Sequence, residues 1–151
     1  MAFWDQLKRN VNDMSASLQT NAAKYRNSDF ANGSMAMCAL IASADGSVDP
    51  EERRKTAALI TSNETLKIFP ASELKQKFDF YLDKVAEDPD FGKIEAMQAI
   101  SKLKKKEDQA RAVIQVGIVI GGADGNFDQN EMRAVREACN AVGISPSDFD
   151  L

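Results

Sequence analysis

One phrase of nine residues occurs twice in this chain. Residues 44–52 read ADGSVDPEE and residues 123–131 read ADGNFDQNE, so the second copy begins 79 positions after the first. In each copy an Asp-Gly pair follows an apolar segment, and an Asp with a Glu three positions later precedes a segment with helical spacing. This order is typical of a helix, an acidic turn and a second helix. Since one such hairpin cannot bury its apolar face alone, the two copies are expected to pack together.

The rest of the chain also has helical character. Among its 151 residues there are only four prolines, and Pro50 and Pro89 each follow an aspartate that can cap a helix. Gly143 comes after an apolar helical stretch and is expected to end it. The helix that begins after Pro89 carries the apolar residues Phe91, Ile94, Met97 and Leu103. The prediction is an all-α fold, a compact helical bundle of two helical halves related by a pseudo-twofold axis.

Two regions are predicted along the chain, an N-terminal arm over residues 1–25 and a single helical domain over residues 26–151. The domain contains the two internal repeats, at about residues 35–62 and 114–141. Four apolar residues near the acidic turns are expected to be buried, and these are Ile41, Val48, Ile120 and Phe127.

The N-terminal arm has an apolar stripe whose members are spaced three and four residues apart. Lys8 and Arg9 lie off this stripe. Such an amphipathic helix can pack on its own domain, on a partner protein or on a membrane surface. The hypothesis is a docking role, in which residues 3–18 bind a partner or make peripheral contact with a membrane and the domain folds without them. The stripe consists of Phe3, Trp4, Leu7, Val11, Met14 and Leu18.

Charge and composition exclude several classes of function. The net charge of −4 argues against nucleic-acid binding, which needs a basic face, and the basic run Lys102 to Lys106 is interpreted as a solvated helix end. The chain opens without the pattern of a secretory signal, and its longest apolar run, residues 113–123, is too short to cross a bilayer. A cytoplasmic location is therefore expected.

The chain has no histidine, which excludes Ser-His-Asp and Cys-His catalysis and the commonest zinc ligands. Cys38 and Cys139 lie within apolar helical segments, so buried and inert thiols are expected. An enzyme, such as a carboxylate-bridged metal hydrolase, is the least favoured class, and no catalytic residue is predicted.

The acidic residues of the repeated phrase admit a purely structural interpretation. Asp49 and Asp128 can cap the helices that follow them, and Glu52 and Glu131 can complete capping boxes. In this interpretation the chain is a protein–protein interaction scaffold whose acidic turns are helix caps.

The second interpretation of the acidic turns is a cation-binding site, and it rests on Asp45 and Asp124. At the end of a helix their carboxylates would face the negative end of the dipole, which capping does not explain. The pattern D-G-x-apolar-D-x-x-E matches the second half of the EF-hand calcium loop. The first half is absent, so water or carboxylates from elsewhere in the fold must complete the coordination of a weakly bound divalent ion, with calcium favoured. The candidate metal ligands are Asp45, Asp49, Glu52, Asp124, Asp128 and Glu131.

The doubled turn within an all-helical chain of this length resembles the TerB family of bacterial tellurite-resistance operons. The opening MAFWDQLKRNV and the C-terminal segment are similar as well, so the resemblance covers essentially the whole chain. It implies two similar helical halves, acidic clusters proposed to hold metal ions, and no catalytic activity. It also implies other tellurite-resistance proteins as partners, including a membrane component, which would bring this cytoplasmic protein to the inner membrane.

Overall fold

The computed structural model describes Arg9, Asp13, Met14, Ala16, Leu18 and residues 22–123 and 127–151. Residues 22–123 and 127–151 form six α-helices and three short 3-10 helices, the five described residues before them are also helical, and no described residue lies in a strand. The α-helices are α1 (Ser28–Ala42), α2 (Pro50–Ser62), α3 (Ala71–Glu87), α4 (Pro89–Ser101), α5 (Glu107–Gly121) and α6 (Gln129–Val142), and the 3-10 helices cover Ala22–Tyr25, Thr65–Ile68 and Pro146–Phe149. The predicted all-α fold is confirmed for this part of the chain, while the pseudo-twofold relation stays a prediction.

The predicted caps set the boundaries of three helices. The carboxylates of Asp49, Asp88 and Asp128 each accept a hydrogen bond from a backbone N–H in the first turn of α2, α4 and α6. A proline takes the first helical position of α2 and of α4, where its missing N–H removes no helical hydrogen bond. Gly143 follows α6 with a φ of 72°, a left-handed conformation that glycine adopts without strain.

Helix α1 is the centre of the fold. It packs against α3, α4 and α5, and eleven of its fifteen residues are buried. Among these neighbours, α5 buries ten of its fifteen residues. A Cβ atom at Gly117 of α5 would lie 2.6 Å from Cγ of Met37 in α1, so the glycine is needed for this approach. The two halves of the chain therefore share one core.

Three of the four residues predicted to be buried beside the acidic turns are buried. Ile41 is 6% exposed, Ile120 is 4% exposed and Phe127 is fully buried. Val48 is only half-buried, and it packs against the edge of the core. This difference arises because Val48 lies in the open loop before α2, whereas the aromatic ring at the equivalent position reaches the centre of the fold.

The apolar residues that mark α4 in the sequence do not share one face. Leu103, just past the end of the helix, is fully buried, but Phe91 and Ile94 are exposed. The buried side of α4 is formed instead by Gly92 and Ala96 and, toward its end, by Ala99 and Ile100. These mostly small residues allow α4 to lie directly against the backbone of α3.

Three described residues of the predicted N-terminal arm belong to the core. Met14 is 9% exposed, Leu18 is 2% exposed and Tyr25 is 7% exposed, and all three are part of the main hydrophobic cluster. Phe3, Trp4, Leu7 and Val11 lie outside the described residues, so the outer part of the stripe stays a prediction. Within the described ranges no helix combines the length and the hydropathy that crossing a membrane requires.

Candidate functional site

A groove of about 180 Å³ lies where the two acidic turns approach each other. One side is formed by the end of α1, the turn after it and α2, and the other by the end of α5 and the start of α6. Ile41 and Ile120 are among its apolar lining residues. The charged lining residues are Asp45, Glu52, Lys55, Asp128 and Glu131. Packing of the two halves thus brings together carboxylates from both copies of the repeated phrase.

Asp45 organises the first turn. Its Oδ1 accepts hydrogen bonds from the backbone N–H of Ser47 at 3.0 Å and from the Ser47 hydroxyl at 3.1 Å. This is an Asx turn, in which an aspartate side chain replaces a backbone turn carbonyl. Gly46 has a φ of 87° inside the turn, and since α1 already ends at Ala42 the glycine shapes the turn and does not terminate the helix. Asp45 therefore has a local structural role in addition to lining the groove.

The capping box predicted for the first turn is not formed. Asp49 accepts a hydrogen bond from the N–H of Glu51 at 2.9 Å, one residue earlier than a capping box requires. The side chain of Glu52 is consequently free of the cap and lines the groove. Asp49 is not among the residues that line the groove, so its described role is to begin α2.

The capping box predicted for the second turn is formed. Asp128 accepts a hydrogen bond from the N–H of Glu131 at 2.9 Å, and Oε1 of Glu131 accepts one from the N–H of Asp128 at 3.3 Å. A Cβ at Gly121 would lie 2.7 Å from the ring of Phe127, so only glycine lets this turn fold back onto α5. Asp124, the counterpart of Asp45, lies outside the described residues.

The groove is negative, and its chemistry is that of hard oxygen donors. Four carboxylates line it against one ammonium group, which leaves three net negative charges. Oxygen donors of this kind suit calcium or magnesium and not soft metals. Within the described ranges, however, no three Cys, Asp or Glu side chains are grouped closely enough to hold one ion directly. The described carboxylates are therefore too widely spaced to enclose an ion with protein oxygens alone.

Lys55 is the charged lining residue that the sequence interpretation missed. It lies three residues after Glu52, one helical turn along α2, and Thr56 and Leu59 continue the same side of the helix into the groove. The spacing from Glu52 to Lys55 can be read from the sequence, but nothing in the sequence distinguishes this lysine from other exposed lysines. Its place in the groove is evident only once the position of the facing turn is known. Its charge opposes that of a bound cation.

Both thiols are buried, as predicted. Burial raises the pKa of Cys38 to about 12. Burial also raises the pKa of Cys139 to about 11, with a further contribution from the charge of Asp148 that Arg111 partly offsets. At neutral pH neither is a thiolate, which is the nucleophilic form of cysteine. The two cysteines are therefore unsuited to redox chemistry.

The fold and the groove define a class of protein, a small all-helical bundle with an acidic groove between two repeated turns. The sequence profile described as "Tellurite resistance protein TerB" matches residues 31–151. The chain is also 32% identical over 118 residues to the "Tellurium resistance protein TerB" of an Alcaligenes species, covering 78% of this chain and 97% of that protein. The chain belongs to the TerB family of tellurite-resistance proteins. No solved structure shows a significant match.

Proposed function

We propose that this protein is a non-enzymatic tellurite-resistance protein that binds a divalent cation, calcium foremost, in the groove between its acidic turns. The observation that carries the proposal is that Asp45 and Glu52 of one copy line the same groove as Asp128 and Glu131 of the other. Membership of the TerB family supplies the link to tellurite resistance. Both thiols are buried and their pKa values are raised to about 12 and about 11, so neither is a thiolate suited to reducing tellurite.

Binding in this groove would be weak. Asp45, Asp128 and Glu131 already accept hydrogen bonds within their turns, but a carboxylate has further lone pairs that remain available. Glu52 is exposed, and its side chain forms no hydrogen bond or ion pair with the described residues, so its carboxylate is the most accessible donor. With Lys55 opposing the ion and water completing its shell, a dissociation constant of about 10⁻⁴ to 10⁻³ M is expected.

Calcium titration of the full chain tests the proposal. A ligand that binds only the folded state stabilises it, by about 1.4 kcal/mol at ten times the dissociation constant, so calcium should raise the melting temperature. Glu52→Gln should remove most of this gain. The matched control is Glu51→Gln, since Glu51 lies beside it in α2, pairs with Arg54 and does not line the groove. Equal calcium responses of the two variants would contradict a site in the groove.

The variant Asp45→Asn distinguishes a role of Asp45 in cation binding from its role in the Asx turn. Asparagine keeps the Oδ1 acceptor used by Ser47, so the Asx turn should persist and stability in chelator should change by less than about 0.5 kcal/mol. Calcium affinity should nevertheless fall, because one charge is removed from the groove. A loss of stability that is the same with calcium and with chelator would favour the structural interpretation of this aspartate.

We further propose that the protein is an adaptor that works with other tellurite-resistance proteins at the inner membrane. The support is membership of the family and the outer part of the apolar stripe, which consists of Phe3, Trp4, Leu7 and Val11. The test is a pull-down from membranes of a tellurite-resistant cell, in calcium and in chelator, with the full chain and with a Phe3→Ser, Trp4→Ser variant. The wild-type chain should retain a membrane tellurite-resistance protein that the variant loses. Identical capture by both would leave no role for the stripe.

The second candidate is an interaction scaffold without bound metal. The observation in its favour is that each described aspartate of the two turns already has a structural role, Asp49 and Asp128 as caps and Asp45 in the Asx turn. In this case calcium would change neither the melting temperature nor the membrane pull-down. Calorimetric titration with calcium and with magnesium distinguishes the candidates, since a scaffold gives no saturable heat with either ion.

A further inference from the structure

Helix α2 contributes much less to the core than α1 and α5, the helices beside it at the groove. Of its thirteen residues only Ile60, near the end of the helix, is buried, whereas α1 buries eleven of fifteen and α5 ten of fifteen. The 3-10 helix that follows α2 is anchored by Thr65 and Leu66, which are both buried. The loop before α2 differs, since residues 45–47 are exposed. The helix is therefore fixed at its end and has no buried residue at its start.

One side chain ties the start of α2 to a neighbouring helix. Nη2 of Arg53 lies 3.0 Å from Oδ1 of Asp79, and its Nη1 lies 2.7 Å from Oδ1 of Asp83, both on α3. In the part of the chain that the structure describes, no other α2 side chain forms a hydrogen bond or ion pair with another helix. Arg53 lies two turns before Ile60, about 10 Å along the helix axis. The guanidinium therefore acts as a latch at the end of α2 that is remote from its buried anchor.

The groove acts on the same end of α2. Glu52 comes directly before Arg53 but lies about 100° around the helix from it, so Glu52 lines the groove while Arg53 contacts α3. The other side of the groove carries Asp128 and Glu131, whose carboxylates repel that of Glu52. Lys55 offsets this repulsion only in part, because the net charge of the groove is negative. The position of the start of α2 is thus set by the Arg53 ion pairs on one side and by repulsion across the groove on the other.

We propose that α2 is a movable wall of the groove, whose start detaches while Ile60 stays in the core, and that Arg53 is the latch that holds it closed. Detachment carries Glu52 and Lys55 out of the groove and leaves the carboxylates of the two turns behind. A divalent cation in the groove attracts Glu52 toward the opposite turn and so favours the closed position. This last step rests on the cation site proposed above, whereas the latch does not.

Native-state hydrogen exchange of the full chain in chelator tests the wall. A helix of thirteen residues that leaves the core is only marginally stable in water, so the backbone amides of residues 54–58 exchange when α2 detaches. Relative to their intrinsic rates, we expect these amides to exchange at least about tenfold faster than the slowest amides of α1 and α5. Low concentrations of urea should barely change their rates, because a local opening exposes little surface. Amides of α2 that exchange as slowly as those of α1 and α5 overturn the proposal.

The latch is tested in the same measurement by Arg53→Gln, which should speed the exchange of these α2 amides about fivefold, the effect of losing a partly exposed ionic contact. The matched control is Arg54→Gln, the same substitution one position on, which should change the rates by less than about twofold because Arg54 pairs with Glu51 inside α2. Asp83→Asn should speed exchange on its own but add little to Arg53→Gln, since the two residues form one contact. Equal acceleration by Arg53→Gln and Arg54→Gln, or full additivity with Asp83→Asn, contradicts the latch.

Calcium distinguishes this proposal from the cation site itself. At ten times its dissociation constant, calcium should slow exchange of the α2 amides by up to about tenfold, because detachment removes Glu52 from the site and requires the ion to leave first. Slower exchange in α1 and α5 with unchanged exchange in α2 would mean that the ion binds whether or not the wall is closed, which overturns the link between the two. If calcium slows no amide, the cation site fails, while the measurements in chelator still decide the wall and its latch.

Discussion

Aspartate has two local roles in this chain, and both depend on hydrogen bonds that span only a few residues. Asp49, Asp88 and Asp128 cap helices, and Asp45 holds a turn through Ser47. The caps were predictable because the partner N–H follows at a fixed distance along the chain. The absence of the first capping box was not predictable. Asp49 accepts its hydrogen bond from the N–H of Glu51 and not from that of Glu52, a shift of one residue that costs little and leaves the Glu52 side chain outside the cap.

The two caps should therefore differ in strength. Asp128 belongs to a reciprocal box with two hydrogen bonds, whereas Asp49 makes one. We expect Asp128→Ala to lower the free energy of unfolding by about 1–2 kcal/mol and Asp49→Ala by about 0.5–1 kcal/mol, measured in chelator by urea denaturation. A larger loss at Asp49 would show that the reciprocal bond of Glu131 adds nothing.

Pairs of helices are held by contacts that periodicity does not reveal. At the junction of α3 and α4, a Cβ at Gly92 would lie 2.4 Å from Cα of Val85 and 2.5 Å from its backbone nitrogen. The helices touch backbone to backbone, which directs Phe91 and Ile94 outward. From the sequence alone these two residues look like core, because the glycine between them carries no apolar signal. Which face of α4 is buried is therefore determined by its packing against α3 and not by the periodicity of its own sequence.

Gly92→Ala tests this contact. Alanine normally stabilises a helix relative to glycine by about 1 kcal/mol, but here the added methyl group has no space and its neighbours are backbone atoms that cannot rotate away. We expect the clash to prevail, with a net loss of about 1–3 kcal/mol in the free energy of unfolding. Lys93→Ala, one position on and exposed, is the control and should be close to neutral. A stabilised Gly92→Ala variant would mean that α3 and α4 lie farther apart than described.

At the scale of the whole molecule, the repeat determines more than the fold class. The expectation that two incomplete hairpins pack together was derived from their shared spacing, and α1 and α5 do pack together at Met37 and Gly117. The two turns line one groove, and Lys55 lines it as well. Both facts depend on the angle at which the two halves pack. No residue pattern encodes that angle. The division into arm and domain stays a prediction, and the burial of Met14 and Leu18 in the main core is the observation that bears on it.

Leu18 decides whether the N-terminal segment is a separable arm or a part of the domain. Its side chain is 2% exposed and belongs to the main core. Leu18→Ala should therefore lower the free energy of unfolding of the whole protein by about 2–5 kcal/mol, the usual cost of truncating a buried leucine. Lys24→Ala, exposed and nearby, should change it by less than about 0.5 kcal/mol. A separable arm predicts instead that Leu18→Ala leaves the unfolding transition unchanged and that residues 1–20 can be deleted without loss. Guanidinium denaturation of both variants and of the deletion distinguishes these outcomes, because a core residue must shift the single transition of the domain, whereas an arm residue cannot.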